Sequence, residues 1–345
     1  MRIYIARLKA TERFLIVSDK FLKALVTCEV TNDFLKRMNA RNIDITLDGW
    51  GQTGNILNSE ELIHKAENCE IVIVEIEALN SLVLQKLPNL KFVGVSRGSP
   101  VNVDLEYCAK NNIDVVHTPG RNADSVADYC LALMLDLSRK LTFSSRHLSN
   151  NGWMFEDKLP YLEFRGRELG QLTVGLYGLG QIGKRVARRL KNGFGAKVLF
   201  FDPFVAESSE AIKVNSLAEL FQLSDIVSLH APVTKETENS VNREMLKLLG
   251  KKGILISSAR ANLICEDDLY EALANNEIAA AALDVFWKEP IDKESKWLKL
   301  PNVVSTPHIA GASLDVVANH CDAILIGVDK WLSRNSNVKW LKKNQ

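Results

Sequence analysis

Three side chains, widely separated along the chain, have the types needed to move a proton next to a bound carboxylate: Arg260, Glu289 and His308. A guanidinium is always charged, and its planar fork takes a carboxylate through two parallel hydrogen bonds. Arg260, in Ser257-Ser258-Ala259-Arg260-Ala261, could therefore hold an acid substrate and polarise the adjacent carbonyl. His308 sits in Thr306-Pro307-His308-Ile309-Ala310-Gly311. Histidine is the residue type whose unperturbed pKa permits proton traffic near neutrality. Glu289, just before Pro290, could bond one ring nitrogen, fix the tautomer and steady the imidazolium. Each also has a bland alternative: a surface ion pair, a structural histidine, a loop acid. Taken one at a time, the bland alternatives win.

A second constellation changes that balance. The stretch Thr173-Val174-Gly175-Leu176-Tyr177-Gly178-Leu179-Gly180-Gln181-Ile182-Gly183 is an apolar strand running into Gly-x-Gly-x-x-Gly. An amphipathic helix follows, with Ile182, Val186 and Leu190 on one face, and then a strand ending at Asp202. Gly178 permits the tight turn, Gly180 lets a pyrophosphate approach the backbone, and Gly183 lets helix and strand pack closely. The helix start offers unpaired N–H groups and partial positive charge to phosphates. Asp202 lies about 20 residues on, where an acid accepts ribose hydroxyls. A 2′-phosphate there would face a carboxylate, so NAD is favoured over NADP. Hydride transfer to nicotinamide also needs a carboxylate clamp, a proton acceptor and a group to tune it. Arg260, His308 and Glu289 supply one each.

The elements that must position these groups alternate in type. Candidate strands are Ile3–Ala6, Ile43–Leu47, Ile71–Ile76, Phe92–Val95 and Val115–His117, interleaved with helical patterns. Thr118-Pro119-Gly120 breaks the pattern, and a long helical segment follows, with Val126, Cys130, Leu133, Leu137 and Leu141 near helical spacing. Six more strands are expected at Val174–Tyr177, Val198–Phe201, Ile226–Leu229, Ile254–Ile256, Ala280–Leu283 and Val303–Ser305. A last helix from about Ser313 to Leu332 places Leu314, Val317, Cys321, Ile324, Val328 and Trp331 on one stripe. Strands alternating with helices imply an α/β protein with parallel sheets. Gly178, Asp202, His230, Arg260, Asp284 and His308 all fall just past the C-terminal ends of successive strands. That edge is where open parallel sheets bind ligands.

The bulk properties narrow the class. At 345 residues the chain is too long for one ordinary core, so two domains are expected. A net charge of +1 argues against a general polyanion-binding surface. The basic run Lys184-Arg185-Val186-Ala187-Arg188-Arg189 then reads as the solvated face of its helix. Neither nucleic acid nor membrane is an expected partner, and no metal-ligand set stands out. Cys28, Cys69, Cys108, Cys130, Cys265 and Cys321 form no C-x-x-C pair, which fits buried reduced thiols in a cytoplasmic protein. Met1-Arg2-Ile3-Tyr4-Ile5 reads as a strand rather than a secretory signal, and no apolar run is long enough to span a bilayer.

In the order and spacing of these segments the chain resembles the D-isomer-specific 2-hydroxyacid dehydrogenases. The segments are the glycine loop, His230-Ala231-Pro232 with Thr237, the Arg260 segment, Leu283-Asp284-Val285-Phe286 through Glu289-Pro290, and His308-Ile309-Ala310-Gly311. The resemblance implies two Rossmann-like or flavodoxin-like parallel-sheet domains, the NAD domain inserted into a discontinuous substrate domain. Residues 122–307 would form the former, and 1–121 with 308–345 the latter. The long helix after Asn122 resembles the family's dimer-forming arm, so a homodimer is expected. By the same resemblance His308 takes the hydroxyl proton, Glu289 stabilises the imidazolium and Arg260 holds the carboxylate. Gly178, Gly180, Gln181, Ile182, Gly183, Asp202, His230, Ala231, Pro232, Ser258, Ala259, Asp284 and Gly311 would line the cofactor, with Asp284 at the nicotinamide amide. Arg97, Gly98 and Ser99 would join Arg260 around a small anionic 2-hydroxyacid or 2-oxoacid.

Departures from the family pattern bear on the substrate. The arginine segment usually reads Asn-Thr-Ala-Arg-Gly, and Ala261 here adds a methyl group beside the site. Ser99 stands where glycine is common, and Pro100 cannot donate a backbone N–H. Arg97 then becomes a candidate reader of a second anionic group. A phosphoglycerate-dehydrogenase-like enzyme without a C-terminal regulatory domain is one expectation. Glu289, where the formate-dehydrogenase branch has glutamine, disfavours that branch. An NAD(H)-sensing binding protein, like the corepressors sharing this fold, is the alternative, because those retain the Arg, Glu and His.

Overall fold

Short strands buried at every position demand cover on both faces, and the central strands of both sheets here are built that way, while strands toward the edges carry exposed polar residues. The computed structural model describes residues 21–334. These separate into two compact units, one within 1–119 and 317–345, the other 120–316.

The first unit holds five parallel strands, β1 (Leu22–Val26), β2 (Ile43–Leu47), β3 (Ile71–Val74), β4 (Phe92–Val95) and β5 (Asp114–His117), in the order β2-β1-β3-β4-β5. Successive residues point to opposite faces. Leu25, Val72, Val74, Val93 and Val95 pack into one core with Leu62, Leu84 and Cys108. Ala24, Val26, Ile71, Ile73 and Phe92 pack into the other, against Phe34, Met38 and the final helix Leu314–Arg334. That helix buries Cys321, Ile324, Val328 and Trp331, as its periodicity predicts. Leu314, placed on the same stripe from the sequence, is 93% exposed, because it stands at the first residue of the helix, ahead of the covered turns.

β1 is not among the strands read from the sequence, since Lys23 interrupts its short apolar run and its first two residues stay partly exposed. The strand expected at Ile3–Ala6 lies outside the described residues.

The second unit holds seven parallel strands: β6 (Thr173–Tyr177), β7 (Lys197–Phe201), β8 (Ile212–Lys213), β9 (Ile226–Leu229), β10 (Ile254–Ser257), β11 (Ala280–Leu283) and β12 (Val303–Ser305). Their order is β12-β11-β10-β9-β6-β7-β8. The chain runs outward from β6 through β7 to β8, then returns to β9 on the other side of β6. The crevice at this reversal, at the C-terminal ends of the strands, is where such sheets take ligands. β8, two residues long at the edge with Ile212 exposed, left no apolar signal to read.

The helical segment after Asn122 is broken in two. Helix Ala123–Arg139 buries Val126, Cys130, Leu133 and Leu137. Lys140 then turns left-handed (φ 58°), a new helix starts at Leu141, and Leu141 itself is exposed. Asp136 stabilises the break by accepting from Thr142 N and Thr142 Oγ1. The later boundary between units falls after Val316 rather than before His308. The reason is local: Asp284, in the second unit, holds the amides of Ile309 and Ala310.

Candidate active site

β6 delivers its last residue, Tyr177, to the glycine turn, and each glycine is required there for a different reason. Gly178 has φ +96°, and a Cβ on it would lie 2.7 Å from Ala231 N. A Cβ on Gly183 would lie 2.4 Å from Gly178 O, so the helix could not seat on the strand end. Gly180 differs: nothing stands within 4 Å of where its Cβ would be. It caps helix Gln181–Arg189 without any side-chain bond to the first-turn amides. Open space above an uncapped helix start is the cradle a diphosphate fits, so these residues suit a dinucleotide.

Asp202 follows β7 and also braces the loop. Its Oδ2 accepts from Leu179 N (2.8 Å) and its Oδ1 from Phe204 N (2.8 Å), with the side chain still partly exposed. His230 follows β9, and its backbone N–H donates to Tyr177 O (2.8 Å). Burial without a partner for Nε2 pushes its pKa down to about 4, so the ring is neutral. Ala231 is buried beneath Gly178, and Pro232 O accepts from Thr237 Oγ1 (2.7 Å). Ser258 and Ala259 follow β10. Ser258 Oγ lies 3.1 Å from Cys130 Sγ, a thiol that burial pushes up to about 11.

The sequence-predicted proton-transfer residues are brought together within the second unit. His308 Nδ1 lies 2.7 Å from Glu289 Oε2, and Glu289 Oε1 accepts from Phe286 N (2.9 Å). Burial works to raise the Glu289 pKa, but the bonds from His308 and Phe286 and the charges of His308 and Arg260 outweigh it and hold the carboxyl below its ordinary range. With the Nδ1 proton directed at the carboxylate, Nε2 presents a lone pair. Among the described residues Nε2 has no bonding partner. Arg260 is exposed, bonded only to its neighbour's carbonyl, Ala259 O (2.6 Å), and it forms no ion pair among the described residues. A guanidinium left unpaired beside a carboxylate–imidazole pair can receive an anion.

Asp284, expected at the nicotinamide amide, is fully enclosed. Its Oδ1 accepts from Thr306 Oγ1 (2.7 Å) and Ile309 N (2.9 Å), and its Oδ2 from Ala310 N (2.8 Å). A Cβ on Gly311 would meet the Asn122 amide at 2.5 Å, so this turn is tightly packed as well. Thr306 is a member of this site that reasoning from sequence passed over. Its place two residues before His308 was the available signal.

In the first unit Arg97, Gly98 and Ser99 follow β4. Arg97 O accepts from Thr118 N (2.9 Å) and Gly98 O lies 3.0 Å from His117 Nδ1, so backbone carbonyls hold the loop's shape. Gly98 and Ser99 are exposed, and the half-buried Arg97 guanidinium has no ion-pair partner among the described residues.

The basic run after the glycine loop is only partly solvated. Arg185 pairs with Asp124, and Arg189 with Asp124 and Asp128, tying the nucleotide-loop helix to helix Ala123–Arg139. Matching spacings of four residues on the two helices carried this signal. Lys184 and Arg188 face outward.

Residues 131–310 match the family described as "D-isomer specific 2-hydroxyacid dehydrogenase, NAD binding domain". The Bacillus subtilis (strain 168) protein YoaD, provisionally named a 2-hydroxyacid dehydrogenase, is 33% identical over 313 residues, covering 90% of this chain and 91% of that one. A D-3-phosphoglycerate dehydrogenase of Archaeoglobus fulgidus is 33% identical over 302 residues, 86% of this chain but 55% of the longer relative. Among solved structures, D-lactate dehydrogenase from Aquifex aeolicus complexed with NAD and lactic acid superposes with a TM-score of 0.69 at 28% identity, covering 92% of this chain and 97% of that one. A match across more than half of the chain, with a relative one-third identical over nine-tenths of it, establishes the lineage. The chain belongs to the D-isomer specific 2-hydroxyacid dehydrogenase family, NAD(P)-dependent oxidoreductases of 2-hydroxyacids, and carries that family's NAD-binding domain.

Proposed function

We propose that this protein interconverts a small D-2-hydroxyacid and its 2-oxoacid using NAD(H), with Arg260, His308 and Glu289 in distinct roles. The observation that carries this reading is the 2.7 Å His308–Glu289 pair with the imidazole Nε2 left unpartnered. In the oxidising direction Nε2 takes the hydroxyl proton, and the carboxylate already on Nδ1 steadies the imidazolium that forms. Arg260 holds the substrate carboxylate in its fork and keeps the reacting carbon in register. When bound, the nicotinamide supplies the hydride acceptor. Gly178, Gly180, Gln181, Ile182 and Gly183 hold the diphosphate, and Asp202 takes the ribose hydroxyls and disfavours a 2′-phosphate. His230, Ala231, Pro232, Ser258, Ala259 and Gly311 line the rest of the nucleotide, with Asp284 enclosed behind them at the His308 turn. Arg97, Gly98 and Ser99 are the proposed substrate contacts of the first unit, with Arg97 suited to a second anionic group.

No helix among the described residues is long and apolar enough to cross a membrane. All six thiols are free, five of them buried, which supports a reducing, cytoplasmic setting. Exposed apolar side chains at Leu141, Leu148, Trp153, Leu159, Tyr161 and Leu162 support a homodimer formed through this segment, which light scattering would test.

The decisive assay mixes the protein with NADH and a panel of small 2-oxoacids while following NADH absorbance. Oxidation with at least one oxoacid is expected. Silence across the panel, with NADH binding confirmed, would refute the reading and leave an NAD(H)-sensing binding protein in its place.

A further inference from the structure

We propose that Thr306 and Asp284 form a positioning device that sets the backbone of the His308 turn and thereby aims the imidazole at Glu289. The inference rests on the proton-transfer role given to His308 above. His308 has φ +54°, a left-handed conformation uncommon outside glycine, and its surroundings hold it there. Those surroundings are concentrated in one carboxylate. Asp284, 0% exposed, accepts from Thr306 Oγ1 on the N-terminal side of His308 and from the amides of Ile309 and Ala310 on its C-terminal side. The turn is closed by His308 N donating to Thr306 O (3.0 Å), and Thr306 N donates in turn to Leu283 O (3.0 Å).

Five residues past Asp284 stands Glu289, bonded to the ring of His308. One short segment, 284–289, therefore holds the histidine twice: by its backbone through Asp284 and by its imidazole through Glu289. Of the groups Asp284 accepts from, the Thr306 hydroxyl is the one side chain, and so the one that substitution can remove without touching the backbone or the charge. Without it, Asp284 keeps two amides on one side of His308 and nothing on the other. The turn can then relax toward an ordinary φ and carry the ring off its line to Glu289. Thr306 touches neither Glu289 nor the reacting atoms in this arrangement; it acts through the backbone.

The test compares Thr306→Val, which keeps the shape and loses the hydroxyl, with Thr306→Ser, which keeps the hydroxyl. Thr306→Ala replaces the valine variant should that not fold. Turnover, the KM for NADH, the pH–rate profile and the NMR titration of the His308 ring are measured, the resonance being assigned among the six histidines by its loss in His308→Gln. Thr306→Val is expected to lower kcat about tenfold, leave the NADH KM within about twofold, and move both the pH–rate profile and the ring titration in the direction produced by Glu289→Gln. Thr306→Ser should match wild type in all four. A His308 titration unchanged in Thr306→Val, or equal damage in Thr306→Ser, overturns the proposal. If wild type turns over no oxoacid, the functional reading fails by itself, and the ring titration still decides whether Thr306 positions His308.

Discussion

His230 makes the stability of the nucleotide-free protein depend on pH in a window set by one buried ring. Burial holds its pKa at about 4 in the folded chain, against 6.5 for an unhindered histidine. The unfolded chain therefore binds a proton that the folded chain refuses between those two values. Stability from this group is complete above pH 6.5 and is lost as pH falls, with the loss levelling off below about pH 4. At 1.36 kcal/mol per unit, a shift from 6.5 to about 4 is worth roughly 3 kcal/mol when complete and about 2 kcal/mol at pH 5. The perturbation is His230→Gln, which removes the titration. Urea unfolding of the apo protein, followed by tryptophan fluorescence at about pH 7.5 and about pH 5, gives the comparison. Differences between the two proteins cancel every other titrating group. Whatever the variant costs at the higher pH, wild type should lose about 2 kcal/mol more than the variant on going to the lower one. Equal losses would refute the reasoning, because they would mean the ring stays protonatable in the folded state.

His308→Gln should lower turnover by at least about a hundredfold while leaving NADH affinity within about twofold, as read by fluorescence titration. Loss of both together would mean that the fold was damaged. Gly180→Ala and Gly178→Ala should separate binding from folding. The first places a methyl group in open space and should weaken NADH binding with an unchanged melting temperature, while the second clashes with Ala231 N at φ +96° and should lower the melting temperature itself. Asp202→Ala should erase most of the preference for NADH over NADPH in a KM comparison, and an unchanged ratio would remove Asp202 from the ribose site. A double-mutant cycle on Arg189 and Asp124 should yield a coupling of about 0.5–1 kcal/mol in urea unfolding, since both side chains remain partly exposed.

Much of the second unit was legible in the residues. Six of its seven strands are short, mostly apolar and largely buried runs bounded by turn residues, and such runs leave little choice but a covered parallel strand. The steric demands expected at the glycine turn reappear as the close approaches at Gly178 and Gly183 and the open space at Gly180. What failed to read had weak local signals. β1 carries a lysine, β8 has two residues, and the break at Lys140 depends on a left-handed lysine that no propensity favours. Arg185 and Arg189 looked solvated because their partners, Asp124 and Asp128, lie some sixty positions away.

Residue types alone determined which chemistry was available: a guanidinium, an imidazole and a glycine turn just past the ends of predicted strands, and a carboxylate in the loop after Leu283. Strand ends could be located because hydrophobic burial acts locally and leaves a pattern in the chain. Tertiary structure alone decided that the Nε2 of His230 is shut off from water and the ring neutral, and that Asp284 clasps the turn on both sides of His308; it also gave the Glu289–His308 pair, proposed from the residues, its 2.7 Å geometry. Those outcomes depend on which groups lose water together and which hydrogen bonds must replace it, and residues brought together from different strand ends leave no pattern of that in the linear order.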